Sequence, residues 1–566
     1  MASLRHLTSR TRYLKLSNLD LVRSLRNTSS GTIVAKLTNR SSYLNITTPV
    51  VIPSNGCLHT LAVNSYSCPS YSSLCKYSGT QGWFSCARSY SSSKSSCNDS
   101  EKADQLTAEV TDTYVDEMKD ELRQMAENQK RIKEQVECEI PRETDFVVIG
   151  GGSFGMSVAY WLKKRHPDGF SLTVVERDPM HSQSCSTLGL ASLSQQFSVP
   201  ETIKMSLFSA EFYRSMRDHL GVLDLDPPDI NFNHQGYLLL AADKKGEDIL
   251  HRNHKTQIDL GAKVELMSPN MLKAKFPWLK TEDLLLGSYG LANEGWFDPW
   301  LYLSALKIKC MSLGVKFTKG EVIGFDSEDK VCGSSTTAGA IQRRKELMAV
   351  KVKADNGKTY PMKFAVCVNC AGPWSGAVAA MAGIGTEETG PLSIPLPVEP
   401  RKRFVFVFHC PDGPGINMPM LIDPTGTFVR REGLGGHYIC GASPKGEDKA
   451  ATDLDVDYEF FEKEVWPVLA DRVPVFNNLK LKSAWAGFYD YNYFDQNLVI
   501  GNHPYFRNFM MATGCSGHGV QQSPAIGQAL AEYIIDNEYQ TIDLSRFSFD
   551  RFLTDSPICE EGPYII

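Results

Sequence analysis

The chain has 566 residues, of which 42% are hydrophobic and 22% charged, and its formal net charge is -6. This length predicts two folded domains with appendages rather than one simple core. The mild acidity and the absence of a basic stripe exclude a nucleic-acid-binding protein. No window of the sequence reaches the roughly 18 consecutive apolar residues that a transmembrane helix needs, so any association with a membrane is expected to be peripheral or through a partner.

Residues 1–90 have the composition of a mitochondrial presequence. Through Asn98 a single acidic residue, Asp20, stands against eleven lysines and arginines, and serine, threonine, tyrosine and asparagine fill most of the remainder. Basic, serine-rich and acid-poor segments are typical of mitochondrial transit peptides. We therefore expect a mitochondrial protein on the matrix side whose mature chain begins near Ser91. A disordered polar tail is the alternative.

Residues 91–143 predict a polar linker and a charged helix. Val110, Val115, Met118 and Leu122 recur at roughly helical spacing among charges of both signs. This pattern is typical of a solvated helix that leads into a folded domain. A docking helix for a partner is the alternative interpretation.

The stretch DFVVIGGGSFGMSVAYWLKKRHPDGFSLTVVERD, residues 145–178, predicts a dinucleotide-binding βαβ unit. Gly150 permits the tight turn after the first strand, Gly152 lets the backbone approach a pyrophosphate, and Gly155 allows close packing of strand and helix. The helix predicted over Ser153–Arg165 offers its N-terminal amides to the phosphates. Glu176, 21 residues after Gly155, is placed to accept from ribose hydroxyls and argues against NADP. NAD and FAD share this pattern.

A second glycine-rich segment, NFMMATGCSGHGVQQSPAIGQALAEYII, distinguishes these two cofactors. It predicts a strand, a tight turn and a helix that begins near Gly519, so the fold is expected to return to the same cofactor near the C-terminus. A typical NAD dehydrogenase would instead continue with regular βα units after Glu176, where this chain has the polar turn HSQSCSTLGLASLSQQFS. This arrangement favours FAD.

Four segments, VVIGGGSFG…VVERD, EGWFDPWLYLSAL, VCVNCAGPWS and ATGCSGHGVQQSP, make the chain resemble the D-amino-acid-oxidase-like FAD oxidoreductases. That family includes sarcosine and dimethylglycine dehydrogenases. The resemblance spans about Asp145 to Phe547 and implies an α/β fold, α+β overall. In this fold a Rossmann-like FAD-binding domain is assembled from discontinuous segments, and a substrate domain with an antiparallel sheet is inserted between them.

The resemblance also implies domain boundaries along the chain. The expected FAD-binding segments are 144–230, 293–392 with a polar insertion at about 327–345, and 483–566, which includes the C-terminal tail. The expected substrate-domain segments are 231–292 and 393–482.

Longer segments, among them SYGLANEGWFDPW and SAWAGFYDYNYFDQN, resemble a mitochondrial branch of this family that acts in the assembly of respiratory complex I. The resemblance implies an FAD-binding protein required for assembly or stability of complex I, with complex I subunits or assembly intermediates as partners. The alternative is a matrix FAD-dependent amine or N-methyl-amino-acid dehydrogenase that transfers hydride to flavin N5.

By this resemblance, the turn NCAGPWS lies near the flavin and the turn at Gly514–Gly519 faces the pyrimidine edge of its ring. The expected cofactor-binding residues are Gly150, Gly152, Ser153, Phe154, Gly155, Glu176, Arg177, Ala371, Gly372, Trp374, Gly514, Ser516, Gly517, His518 and Gly519. Ser186 stands where sarcosine and dimethylglycine dehydrogenases carry the histidine that attaches their flavin. We therefore expect FAD to be bound noncovalently. No spacing typical of metal ligands is found.

The catalytic residues are not identified by a motif. Arg401, Arg403 and Arg430 are candidates to hold a substrate carboxylate, Tyr489 supplies a hydroxyl, and His518 supplies a donor beside the flavin. The alternative for each arginine is a solvated face or a partner surface. Many family members have arginine where this chain has Ser194 and Phe488. Losing both cations argues against a small substrate that carries a carboxylate.

Overall fold

The computed structural model describes residues 140–566 except 224, 333–341, 391, 445–448 and 563–566, together with three short strands nearer the N-terminus. These strands, Arg26–Asn27, Ile33–Thr38 and Thr47–Ile52, form an antiparallel sheet in chain order. Apart from them, the predicted presequence lies outside the described residues. So do the predicted linker and charged helix, up to residue 139.

The first of two large sheets carries the dinucleotide unit. Its parallel strands are, in spatial order, Lys316–Lys319, Leu172–Glu176, Glu143–Ile149, Thr359–Asn369 and Phe509–Thr513. Its antiparallel strands are Glu321–Cys332, Gln342–Lys353 and Val499–Asn502. The apolar runs FVVI and LTVV are buried in the middle of the sheet, as expected of parallel strands covered on both faces.

Two helices cover the first sheet beside the dinucleotide unit. The predicted helix Ser153–Arg165 is confirmed with the predicted ends, and three basic residues in its last turn face its negative pole. It packs against Gly519–Asp536, the helix predicted from the second glycine-rich segment. The N-termini of both helices therefore lie at the same edge of the sheet, where the parallel strands end.

The second sheet also has eight strands. In spatial order they are Lys480–Asn492, Val398–His409, His437–Gly441, Phe428–Glu432, Met420–Ile422, Tyr237–Ala241, Leu286–Gly290 and Val264–Met267. Every neighbouring pair is antiparallel except Met420–Ile422 with Tyr237–Ala241, which is parallel. The predicted fold class, an FAD-type Rossmann domain of separate segments with an inserted sheet domain, is confirmed.

One predicted boundary needs correction. The border between 482 and 483 falls inside the strand Lys480–Asn492, which pairs with Val398–His409 along its whole length up to Asn492. This strand therefore belongs to the second sheet, and the chain returns to the first sheet only after residue 492. A continuous strand leaves no composition change at residue 482 that could mark a domain border.

The remaining elements connect the two sheets. The other α-helices are Cys185–Leu188, Pro200–Arg214, Met216–Leu220, Lys244–Asp259, Pro269–Lys275, Pro299–Ser312, Ser375–Met381, Tyr458–Phe460, Trp466–Arg472 and Asp550–Leu553. A two-stranded sheet joins Ser192–Leu193 to Gly295–Trp296. Short 3-10 helices span Gly372–Trp374, Pro474–Asn478 and Ser545–Phe547, and a π-helical turn spans Phe461–Val465. In the part of the chain that is described, no helix has both the length and the apolar character to cross a bilayer.

Candidate cofactor and substrate site

A cavity of about 400 Å³ lies between the two sheets, at the edge where the parallel strands of the first sheet end. We call the lining from Gly150, Gly152–Phe154, Glu176–Arg177, Cys370–Trp374 and Gly517–Gly519 the cofactor wall. We call the lining from Tyr237, Leu239, Ile422 and Phe428, all on the second sheet, the substrate wall. A concave site at the carboxyl ends of parallel strands is the usual binding place in such sheets.

The first turn of the cofactor wall is built for close backbone contacts. Gly150 has a φ of +99°, and a Cβ there would lie 2.3 Å from the carbonyl oxygen of Cys370. A Cβ at Gly155 would lie 1.9 Å from the carbonyl oxygen of Gly150, so the helix can sit this close to the strand only with glycine. Gly152 caps the helix without a side chain over its first amides. A positively polarised helix N-terminus on a cavity wall fits an anionic pyrophosphate.

Glu176 ends the second strand with both carboxylate oxygens held by backbone amides. Gly151 N–H donates to Oε2 at 2.7 Å and Asp178 N–H donates to Oε1 at 2.7 Å. Each oxygen keeps a second lone pair, so ribose hydroxyls can still donate to this carboxylate. The guanidinium of the neighbouring Arg177 lies 4.2 Å from the ring centre of Trp374, and both residues line the cavity. This part of the wall fits the adenosine half of a dinucleotide.

The turn at Gly514–Gly519 is held by a carboxylate that the sequence did not reveal. Asp490 Oδ2 accepts from the amides of Gly514 at 2.8 Å and Cys515 at 3.0 Å. Burial raises the pKa of Asp490 to about 6. Gly514 and Ser516 lie outside the cavity lining of the described residues and shape the turn, because each has a positive φ. Gly517, His518 and Gly519 line the cavity.

The tautomer of His518 follows from the orientation of Gln521. Gln521 Oε1 accepts from Ser194 N–H at 2.8 Å, which leaves Gln521 Nε2 to donate to His518 Nδ1 at 3.0 Å. Burial lowers the pKa of His518 to about 4, so the imidazole is neutral and its proton lies on Nε2. His518 therefore has one N–H donor and lies on the cavity wall.

Ser186 is buried, and its Oγ accepts from Ser153 N–H at 3.0 Å. The hydroxyl also lies 3.1 Å from Ser153 Oγ. Serine offers no ring nitrogen for attachment to a flavin, and this hydroxyl already accepts a hydrogen bond from the first amide of the helix Ser153–Arg165. The geometry agrees with noncovalent binding. Phe488, also on the cavity lining, is buried with its ring 5.7 Å from that of Trp374.

The candidate catalytic residues divide into two groups. Arg403, Tyr489 and His518 line the cavity, whereas Arg401 and Arg430 lie outside its lining within the described chain. Arg401 pairs with Glu399 and Arg430 pairs with Glu432. Both are held by carboxylates on their own strands, so the expectation that they bind a substrate is not supported by their placement.

Arg403 and Tyr489 form one unit on neighbouring strands of the second sheet. The guanidinium of Arg403 lies 4.2 Å from the ring centre of Tyr489 and donates to its hydroxyl. Arg403 Nη1 also donates to the carbonyl oxygen of Lys402 at 2.9 Å. The structure therefore brings these two predicted residues together, with part of the guanidinium already engaged.

A second buried carboxylate, Glu294, forms hydrogen bonds with residues of the cavity lining. It accepts from Gln195 N–H at 2.7 Å and Gln196 Nε2 at 2.9 Å, and Ser194 Oγ donates to it at 3.3 Å. Burial raises the pKa of Glu294 to about 7. Nothing in the sequence marked this residue, because its partners lie about a hundred positions away in the chain.

The C-terminal tail also reaches the cavity, which the sequence did not indicate. Glu560, Glu561 and Gly562 contribute to the lining. Among the described residues, no group of three or more histidine, cysteine, aspartate or glutamate side chains is arranged to hold a metal ion.

The chain belongs to the FAD dependent oxidoreductase family, whose pattern matches residues 145–533. It therefore shares the FAD-binding fold of that family, and the cofactor wall fits FAD as described above. The match covers the first turn, Glu176, the turn at 370–374 and the second glycine-rich turn.

Curated relatives and solved structures agree with this assignment. The chain is 48% identical over 417 residues to FAD-dependent oxidoreductase domain-containing protein 1 of Bos taurus, covering 73% of this chain and 85% of the relative. It is 26% identical over 443 residues to mitochondrial sarcosine dehydrogenase of Homo sapiens, covering 74% of this chain and 43% of that protein. L-proline dehydrogenase from P. horikoshii aligns with a TM-score of 0.61 and 26% identity, over 74% of this chain and all of that structure, 100%.

Proposed function

We propose that the chain is a mitochondrial FAD-binding protein that supports the assembly or stability of respiratory complex I. One observation carries this proposal: the cofactor wall is intact, whereas Ser194 and Phe488, both on the cavity lining, stand where many family members resemble one another in having arginine. A flavin site kept without these two arginines favours a role other than the common amino-acid oxidation. The complex I role itself rests on the resemblance of long segments to the mitochondrial branch of the family.

The proposed location is the matrix side of the inner membrane, in peripheral association with it. The composition of residues 1–98 supports import into mitochondria. Two relatives, sarcosine dehydrogenase and the regulatory subunit of pyruvate dehydrogenase phosphatase, are named as mitochondrial proteins.

The experiment uses cells that lack the chain and express variants of it. Gly152 has an ordinary φ of -73°, and a Cβ there meets the Ser186 hydroxyl at 3.2 Å and the Ser184 hydroxyl at 3.8 Å. Gly152→Leu is therefore expected to fold while its side chain fills the pyrophosphate cradle. Gly415→Ala is the matched control, because no atom lies within 4 Å of its Cβ position. Assembled complex I is measured by native electrophoresis.

We expect the wild type and Gly415→Ala to restore complex I, and Gly152→Leu to fail. Normal complex I in cells that lack the chain altogether would overturn the proposal. Restoration by a flavin-free Gly152→Leu protein would show a role that does not use the cofactor.

A second candidate function is an FAD-dependent amine or N-methyl-amino-acid dehydrogenase. It is favoured by the cavity itself, which continues from the flavin-facing turn at Gly517–Gly519 to the substrate wall on the second sheet. When bound, FAD would supply a hydride acceptor for the C–H bond next to an amine nitrogen. The chain would contribute the N–H donor of His518 and the Arg403–Tyr489 unit, which orient the substrate.

Anaerobic mixing of the purified protein with a panel of amines and N-methyl amino acids tests this second function. We expect loss of the oxidised flavin absorbance with at least one compound. If a broad panel leaves the flavin oxidised, the dehydrogenase function is wrong, and the complex I proposal is unaffected.

A further inference from the structure

The C-terminal tail brings Glu560 to the cavity, and the two oxygens of its carboxylate have different surroundings. Glu560 Oε2 accepts from Ser198 N–H at 2.7 Å, Ser198 Oγ at 2.6 Å and Val199 N–H at 3.0 Å. Ser198 and Val199 precede the helix Pro200–Arg214, whose N-terminal pole stabilises a negative charge. Glu560 Oε1, in contrast, is buried and has no hydrogen-bond partner among the described residues.

The charge of Glu560 is not neutralised by a protein cation. Within the described residues, no basic side chain lies within ion-pair distance of Glu560, although this residue lines the cavity. The next residue, Glu561, is exposed and pairs with Arg252 at 2.9 Å. A buried acceptor without a donor is costly unless a ligand supplies the donor. The two adjacent glutamates therefore have different surroundings, and of the two only Glu560 has a buried carboxylate oxygen without a hydrogen-bond donor among the described residues.

The tail is fixed in this position by contacts to several parts of the fold. Asn497 Nδ2 donates to the carbonyl oxygen of Ile558 at 2.7 Å, and Asn253 Nδ2 donates to that of Glu561 at 2.7 Å. Asn253 lies on the helix Lys244–Asp259, whereas Asn497 follows the strand Lys480–Asn492. Because the tail is anchored on both sides of Glu560, its carboxylate is a built part of the cavity wall.

The four residues of the substrate wall are mostly apolar, whereas the cavity lining also includes the polar side chains of Gln196, Thr202 and Arg403. Leu239, Ile422 and Phe428 form the substrate wall together with Tyr237, and Phe197, which directly precedes Ser198, also lines the cavity. Arg401 and Arg430 lie outside the lining, and Arg403 already donates to Tyr489 and to the backbone. Such a surface offers little to a carboxylate, which needs a desolvated cation as its partner.

We propose that this cavity takes an apolar amine cation that lacks a carboxylate, and that Glu560 is the specificity residue that accepts a hydrogen bond from its ammonium group. The apolar body of the ligand lies against the substrate wall. This inference rests on the second candidate function, because it names the substrate class of the same cavity.

Binding to the purified FAD-loaded protein is measured by isothermal titration calorimetry with three probes. N,N-dimethylbenzylamine is an apolar cation, N,N-dimethylbenzamide is its neutral counterpart, and N,N-dimethylglycine carries a carboxylate. We expect the benzylamine to bind at least about ten-fold more tightly than either other probe, since one charged hydrogen bond contributes about that ratio.

Glu560→Gln keeps an acceptor for Ser198 and Val199 and removes only the charge. We expect it to abolish the preference for the benzylamine over the benzamide. Glu538→Gln, on an exposed residue outside the cavity lining, is the control and is expected to bind all three probes as the wild type does. The melting temperature of each variant, compared with the wild type, shows whether the tail remains docked.

Three results would overturn the inference: dimethylglycine binding as tightly as the benzylamine, an unchanged preference in Glu560→Gln, or no binding of the benzylamine. The outcome is separable from the dehydrogenase function. Glu560-dependent binding without flavin reduction would contradict the dehydrogenase and support the amine site. Flavin reduction by an N-methyl amino acid, without benzylamine binding, would support the dehydrogenase function and contradict the amine site.

Discussion

The two walls of the cavity differ in how the chain builds them. The cofactor wall is made of short turns, in which residues a few positions apart set the shape, as in Gly150–Gly155 and Gly514–Gly519. The substrate wall is made of single side chains on strands that are far apart in sequence, such as Leu239 and Phe428. The backbone geometry of the turns determines which cofactor can bind, whereas the side chains of the substrate wall determine which substrate can bind. One wall can therefore stay constant while the other changes.

The largest expected effect concerns the cofactor wall. A Cβ at Gly155 would lie 1.9 Å from the carbonyl oxygen of Gly150, so Gly155→Ala forces the helix away from its strand. We expect a loss of about 3 kcal/mol in the free energy of unfolding, together with loss of FAD. Urea denaturation measures the first and acid-released flavin the second.

Gly415→Ala again serves as the control and is expected to change stability by less than about 0.5 kcal/mol, because its Cβ position is open. A Gly155→Ala protein with normal stability and full flavin would contradict the account of the first turn.

The next largest effect concerns Glu294, the buried carboxylate that binds Ser194 and Gln196 of the cavity lining. Burial raises the pKa of Glu294 from 4.5 to about 7, so the folded chain binds this proton more tightly than the unfolded chain does. The stabilisation is complete below pH 4.5 and is lost as the pH rises through 7. A shift of this size corresponds to about 3 kcal/mol at most, seen as a falling free energy of unfolding between those values.

Glu294→Gln is expected to make that pH dependence shallower, as measured by urea denaturation across the same range. Asp490, whose pKa is raised to about 6, keeps contributing a smaller fall. Glu538→Gln, on an exposed residue, is the control. An unchanged slope in Glu294→Gln would show that Glu294 does not titrate in this range.

The smallest effect concerns the adenosine end of the cofactor wall. Arg177 is exposed and its guanidinium lies 4.2 Å from the ring centre of Trp374. We expect Arg177→Leu to weaken FAD binding by about 1 kcal/mol, about five-fold, in a titration of the apoprotein. Lys164→Leu removes a similar contact, 4.6 Å above Trp161, away from the cavity. If both variants weaken FAD binding equally, Arg177 has no specific role at the cofactor.

The sequence predicted the cofactor wall well because its signals are local. The spacing of Gly150, Gly152 and Gly155 and the position of Glu176 indicated the strand, the turn, the helix and the fit to a dinucleotide. The helix from Gly519 was predicted for the same reason. Each of these features depends on residues that are neighbours in the chain.

The carboxylates at the cavity could not be predicted, because their partners are distant. Asp490 binds the amide of Gly514, which is 24 positions away, and Glu294 binds that of Gln195, which is 99 positions away. Glu560 binds the amide of Ser198, which is 362 positions away. For Arg401 and Arg430 the sequence suggested a binding role that their placement does not support. Both lie on strands of the second sheet, but each forms an ion pair with a glutamate on its own strand.

The separation of the two walls is tested most directly by the ratio of acid-released FAD to protein in one matched pair of variants. Gly150→Ala places a Cβ 2.3 Å from the carbonyl oxygen of Cys370, whereas Phe428→Leu alters only the substrate wall. We predict that Phe428→Leu carries as much FAD as the wild type and that Gly150→Ala carries almost none. Full FAD in Gly150→Ala, or its loss in Phe428→Leu, would contradict the account.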